Sequence, residues 1–330
     1  MSAIAVITGA GAGVGRATAL EFARNGYDLA LLSRDKDRLD SLAEAIREMG
    51  RRALPVPTDV AKADEVEAAA VQVEVALGPI DIWVNVAMAT VFSPVADLKP
   101  EEVRRATDVT YLGQVFGMMS ALKRMRARGR GTIVNVGSAL AYRSVPLQAA
   151  YCGAKAAIRG FTDSLRSELI HDGIDIQLTM VDLPAVNTPQ FDWALNKTDR
   201  RPQPVPPIFQ PEVAARAIFF GATSRRREVW VGMSTVKAIV GNFIAPGLLD
   251  RFLAKKGYSG QLSDAPAIPD APSNLWVPVP GHHTAHGRFD DRASATSAEM
   301  AVSRNRSAIL AGAALTGAFV GGALLLLGRR

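Results

Sequence analysis

The chain has 330 residues, 48% hydrophobic and 21% charged, a balance that excludes wholesale disorder and provides for a large core. One cysteine, Cys152, excludes an internal disulfide framework or a multi-cysteine metal site, and three of only four histidines crowd together at His282, His283 and His286. Lys and Arg total 38 against 32 Asp and Glu, a net +6 that permits phosphate ligands or anionic lipid; with no aromatics interleaved among the basic groups, nucleic acid is not an expected partner.

Length alone suggests two domains of about 150 residues each, but the pattern along the chain points to one. Short apolar runs, many β-branched, recur at Ile4–Thr8, Leu29–Ser33, Ala53–Val56, Ile82–Val86, Thr132–Val136, Ile174–Val181 and Val229–Val231. Between them, helical spacing predicts Val14–Asn25, Lys36–Met49, Ala63–Leu77, Glu101–Arg126, Ala149–His171 and Pro211–Thr223. Gly26, Gly50 and Gly78 fall where three of these helices should stop. Near-continuous apolar strands with helical crossovers bury both sheet faces. The expected fold is therefore α/β, a Rossmann-type doubly wound parallel sheet of about seven strands with helices on both sides. Ligands of such sheets bind beyond the carboxyl ends of the strands.

The first strand runs into Gly9-Ala10-Gly11-Ala12-Gly13-Val14-Gly15, and a helix follows. Glycines there let the backbone approach a pyrophosphate, whose charge suits the unpaired amides of a helix start. The spacing is T-G-x-x-x-G-x-G from Thr8, not G-x-G-x-x-G. At the end of the second strand stand Ser33 and Arg34, where an acid would bond the ribose hydroxyl of NAD. A hydroxyl and an arginine suit a 2′-phosphate, so NADP is favoured over NAD; Asp35 beside them reads as a helix cap.

After the fifth strand comes Ser138, and thirteen residues later Tyr151-Cys152-Gly153-Ala154-Lys155. Tyr151 and Lys155 stand one turn apart on one helix face. A phenol with a pKa of about 10 is a poor acid or base at neutral pH, and a nearby ammonium lowers it toward working range. Ser138 can donate to the same substrate oxygen. Cys152 reads as a packing residue, since nothing recognisable would activate it.

From Ser2 to Gly232 the chain resembles the short-chain dehydrogenase/reductase family, on the Thr8–Gly15 loop, Asp59-Val60, Asn85, Ser138 and the Tyr151/Lys155 pair. The resemblance implies that Asp59 contacts adenine, that Asn85 steadies the sheet, and that Val60 and Ala87 belong to the cofactor site. It implies that Ser138 polarises a carbonyl, Tyr151 transfers the proton and Lys155 also holds the nicotinamide ribose. Pro184 and Thr188 resemble the segment over the nicotinamide. Three positions depart from the pattern: Asn85-Val86-Ala87-Met88 stands for N-N-A-G, Pro184-Ala185 for P-G, and Thr110 for the fourth catalytic position, an asparagine that helps relay protons. Homodimerisation through the helices at Glu101–Arg126 and Ala149–His171 is also implied.

Further on, Ala185–Phe209 carries Phe191, Trp193, Phe209 and several prolines, and reads as an apolar lid. Val236–Leu253, apolar around Pro246, fits either a membrane interface or packing against the sheet. Residues 255–307, rich in Pro and Ser without a sustained period, read as a linker whose histidines form a solvated tract. Ala308–Leu327 is 20 residues without a charge, flanked by Arg304, Arg306, Arg329 and Arg330. As a helix it would cross a hydrocarbon core of about 30 Å, and Gly317 and Gly321 are spaced for close helix packing. The expected organisation is a catalytic domain 1–254, a linker 255–307 and a transmembrane helix 308–327. Met1–Thr8 has no secretory-signal character, which places the expected catalytic domain in the cytoplasm on a single-pass anchor. The activity expected is NADP-dependent hydride transfer between nicotinamide and a small lipophilic carbonyl or alcohol, by Ser138, Tyr151, Lys155 and Thr110. The alternative is a membrane-tethered, non-catalytic NADP-binding sensor.

Overall fold

Alternate residues of the first strand enter two different cores: Ala5 and Ile7 pack on one side, Ile4 and Val6 on the other. The same holds for Leu29 and Leu31 against Ala30 and Leu32, so these strands are apolar on both faces. The computed structural model describes residues 2–281 and 284–304. It contains a seven-stranded sheet: β1 Ile4–Thr8, β2 Asp28–Ser33, β3 Ala53–Pro57, β4 Ile82–Asn85, β5 Arg130–Ser138, β6 Asp175–Leu183 and β7 Glu228–Trp230. All pairings are parallel, in the order β7-β6-β5-β4-β1-β2-β3. The order reverses between β1 and β4, which opens a crevice at their carboxyl ends.

The helices are α1 Gly13–Arg24, α2 Lys36–Glu48, α3 Ala63–Ala76, α4 Pro100–Thr107, α5 Gly113–Arg128, α6 Ala149–His171, α7 Gln190–Trp193, α8 Pro211–Thr223, α9 Met233–Ile244, α10 Pro246–Gln261 and α11 Ala298–Arg304. Helices α1, α2 and α8 cover one face, and α3, α5 and α6 the other. Asp35 caps α2, its carboxylate accepting from the Arg38 amide at 3.1 Å. The single helix expected over Glu101–Arg126 is divided by a π-helical turn at Asp108–Leu112, which carries Thr110.

Of the segment expected as a linker, the described residues 255–281 and 284–304 are instead folded against the catalytic domain. Its first residues complete α10, and 262–266 then pairs antiparallel with 200–202. Residues 293–294 join 208–209, which also pairs with 185–186. Leu275 and Phe289 are buried. His286 is partly exposed but tied down: its ring lies 2.8 Å from Glu212 and 2.7 Å from Asp290. The physical reason is that this segment is held by partners far away in sequence, so no local period announces it. Helices α9 and α10 leave Phe243, Ile244, Leu248 and Phe252 each more than half exposed. Among the described residues no helix is long and apolar enough to cross a membrane, and no His/Cys/Asp/Glu group could hold a metal. His282, His283 and the expected span 308–327, with Gly317 and Gly321, lie outside the described residues.

Candidate active site

At the crevice, the chain leaves β1 through Gly9 in the left-handed region (φ 69°), where a side chain would press on the Ala87 backbone at 2.9 Å. A Cβ on Gly15 would collide with the Gly9 carbonyl oxygen, so helix and loop close tightly only with glycine there. Thr8 braces this turn from beneath, its hydroxyl accepting from the Val86 and Ala87 amides at 2.9 and 3.2 Å. Gly9, Gly11, Gly13, Val14 and Gly15 line one end of a cleft of about 610 Å³. Ser33, Arg34, Asp59, Val60 and Ala87 line the same cleft, as do Pro184 and Thr188. Asn85 does not reach it. Its side chain is buried between Trp83 Nε1 at 2.8 Å and Asn135 Oδ1 at 2.9 Å, a polar brace across the sheet centre.

Ser138 ends β5, Tyr151 opens α6, and both face the cleft with Lys155. Lys155 is buried, donates to the Val136 carbonyl at 2.6 Å, and sets its ammonium 5.6 Å from the centre of the Tyr151 ring. Burial holds the Tyr151 phenol well above its ordinary pKa, opposed by a hydrogen bond with Ser138. Burial also pushes Lys155 down to about 7, opposed by Asp182. The expected lowering of Tyr151 by the lysine is thus not the dominant influence in this state; desolvation is. Thr110, fully buried, uses its hydroxyl locally: it accepts from the Ala89 amide at 2.9 Å and donates to the Ala89 carbonyl at 2.8 Å. That clips the loop after β4. Cys152 is buried, and burial raises its thiol, as suits a packing residue.

Three features escaped the sequence reading. Asp182 on β6 lies fully buried opposite Gly137. Burial pushes it up to about 8, reinforced by Glu228 and opposed by Lys155. An acid set among the apolar residues that end β6, Met180-Val181-Asp182-Leu183, was a visible signal. Arg38 and Arg105 join Arg34 at the nucleotide end, Arg38 paired with Asp35 at 3.1 Å and Arg105 with Asp59 at 2.7 Å. The third feature is the chain at 274–281 and 284–290, which runs across that end.

A parallel seven-stranded sheet, a glycine-rich loop at its switch point and a Ser–Tyr–Lys set on β5 and α6 define a nucleotide-dependent oxidoreductase. Residues 3–198 match the family model described as short chain dehydrogenase, and the chain belongs to the short-chain dehydrogenase/reductase family. It is 31% identical over 282 residues to the uncharacterized oxidoreductase YxnA of Bacillus subtilis (strain 168), covering 85% of this chain and 79% of that protein. An alcohol dehydrogenase from the archaeon Thermococcus sibiricus, complexed with 5-hydroxy-NADP, is similar with TM-score 0.61 and 27% identity over 70% of this chain and 96% of that one. L-Sorbose reductase from Gluconobacter frateurii, complexed with NADPH and L-sorbose, gives 0.61 and 26% over 70% and 95%. The protein is an oxidoreductase that uses a nicotinamide cofactor.

Proposed function

We propose that the protein is an NADP-dependent carbonyl reductase or alcohol dehydrogenase acting on a lipophilic substrate. The observation that carries this is one continuous cleft. It runs from the glycine loop past Ser138, Tyr151 and Lys155 into a chamber walled by Phe92, Val145, Phe191, Trp193, Phe252 and Leu253. Apolar walls of this kind favour an apolar ligand body, with few polar groups to fix its reacting end. When bound, the nicotinamide nucleotide supplies or accepts the hydride. Ser138 donates to the substrate oxygen and stabilises charge developing there. Tyr151, kept protonated by burial, gives the proton to that oxygen. Lys155, pushed down to about 7, exchanges a proton near neutral pH and is placed to replenish the tyrosine.

The cleft supports NADP through charge. Arg34, Arg38 and Arg105 stand against Asp35 and Asp59, three cations to two anions, which leaves +1 where the 2′-phosphate end of the nucleotide belongs. Membrane attachment belongs to the same proposal. The uncharged run Ala308–Leu327 has the length of a span, and the exposed apolar residues of α9 and α10 stand among Lys237, Arg251, Lys255 and Lys256. Pairing of two copies through α5 and α6, where Met119 and Ile170 are exposed, completes it.

The test is a panel of apolar and polar carbonyl compounds with NADPH and NADH, on wild type and Tyr151→Phe. Tyr151-dependent NADPH oxidation confined to apolar members is the expected result. Nucleotide binding without Tyr151-dependent turnover would instead support a sensor. Release of the full-length protein by carbonate washing, without detergent, would end the membrane reading.

A further inference from the structure

Residues 274–281 and 284–290 cross the nucleotide end of the cleft as a strap, and its main chain meets the cationic groups there one after another. Arg34 donates from its two terminal nitrogens to the carbonyls of Asn274 and Trp276, at 2.5 and 2.8 Å. Arg105 donates to Leu275 O at 3.0 Å, and Arg38 to Val279 O. At the glycine loop, the Gly13 amide donates to Thr284 O at 3.1 Å. Buried side chains hold the strap in place. Leu275 enters the core on the α3 and α5 face, Ala285 packs on Ala17 and Ala215, and the Phe289 amide donates to Asn187 Oδ1 at 3.0 Å.

The strap does not fill the cleft. Asn274 and Pro278 line it beside Gly11, Ser33 and Arg34, so the strap is an outer wall over open space. Two carbonyls fix the Arg34 guanidinium while leaving it three of its five N–H groups. Neutral carbonyls hold the arginines without cancelling their charge, so the excess of one cation stays at this end of the cleft.

We infer that the strap, residues 274–281 and 284–290, is part of the cofactor site: by aiming Arg34 and Arg38 it sets the preference for the 2′-phosphorylated nucleotide and closes over it. This rests on the nicotinamide-nucleotide reading and extends it to a segment outside the sheet. Two substitutions unseat the strap at opposite ends. Leu275→Ser removes its buried anchor, and Gly287→Ala adds a methyl that would collide with the Thr188 carbonyl.

The experiment measures NADPH and NADH dissociation constants of the full-length protein and both variants by tryptophan fluorescence. It also follows hydrogen–deuterium exchange across 274–290 in wild type with and without each nucleotide. Each variant is expected to lose about tenfold or more in NADPH affinity, the scale of a charge-assisted hydrogen bond, with a much smaller loss for NADH. In wild type, NADPH is expected to slow strap exchange more than NADH does. Equal losses for both nucleotides, no loss, or tighter NADPH binding in the variants would overturn the inference, the last marking the strap as a plug. If neither variant folds, the wild-type exchange decides, and equal protection by both nucleotides counts against it. A wild type that prefers NADH defeats the cofactor reading itself. A preference for NADPH that survives in both variants defeats only the strap.

Discussion

At its catalytic end the cleft takes Ser138 from the tip of β5 and Tyr151 and Lys155 from the first two turns of α6. At its nucleotide end it takes amides from one loop and arginines from three segments, joined by a strap whose Trp276 lies 242 residues beyond Arg34. The first arrangement depends only on two packed elements, each fixed by its own core contacts. The second depends on a distant part of the chain docking correctly. Damage at the two ends should therefore separate, with the chemical step failing at one and nucleotide affinity and choice at the other.

The sharpest separation comes from Tyr151→Phe, which keeps the ring and removes the proton donor. Its kcat should fall by about 10²–10⁴ while NADPH affinity, read by fluorescence titration, stays as in wild type. A parallel loss of binding would show that the two ends are not independent. Gly15→Ala attacks the other end, since its methyl would collide with the Gly9 carbonyl and displace the loop. NADPH and NADH should both weaken, roughly tenfold or more, because the pyrophosphate is common to them. That equal loss distinguishes loop damage from strap damage.

The same contrast explains what could be read in the sequence. Strands such as Ile4–Thr8 and helices such as Ala149–His171 carry their period in consecutive residues, and the structure places them at those bounds. Ser138, Tyr151 and Lys155 were legible because a strand end and a single helical turn fix their relation. The strap was not legible. Leu275, Ala285 and Phe289 are sparse anchors among prolines, and carbonyl groups that accept from distant arginines leave no pattern in side-chain order. Thr110 was legible as a departure from the family, but its bonds to Ala89 depend on a loop geometry no spacing reveals.

A smaller effect tests the floor beneath the catalytic end. Asp182 has its carboxyl pushed up to about 8 by burial, far above its ordinary 3.8, so ionising it costs the folded state. Wild type should lose stability relative to Asp182→Asn as pH rises from about 4 to about 8, with the full difference above that range. Melting temperatures at pH 5 and 9 read this directly, and a difference independent of pH would refute it. Asp182 also raises both Tyr151 and Lys155, and is itself raised by Glu228 and lowered by Lys155 and Arg159, so the variant's pH–rate profile should move toward acid.

The smallest effect lies at the other end, where His286 ties the strap to α8. Burial alone would lower its pKa, but the hydrogen bonds to Glu212 and Asp290 outweigh it and the net shift is upward. Asp290 moves the opposite way: its burial is outweighed by hydrogen bonds from Gln210, His286 and Asn187. A histidine raised in the folded state contributes its full stabilisation below about 6.5, and loses it as pH climbs through the folded value. Its ring is more than a third exposed, so screening keeps the contribution to about a degree or two of Tm. The difference between wild type and His286→Gln should be present at pH 6 and gone by pH 9, and exchange of the 284–290 amides should quicken over the same interval. A tie that held equally at both pH values would have to be packing, through Ala285 and Phe289, and not the ion pairs.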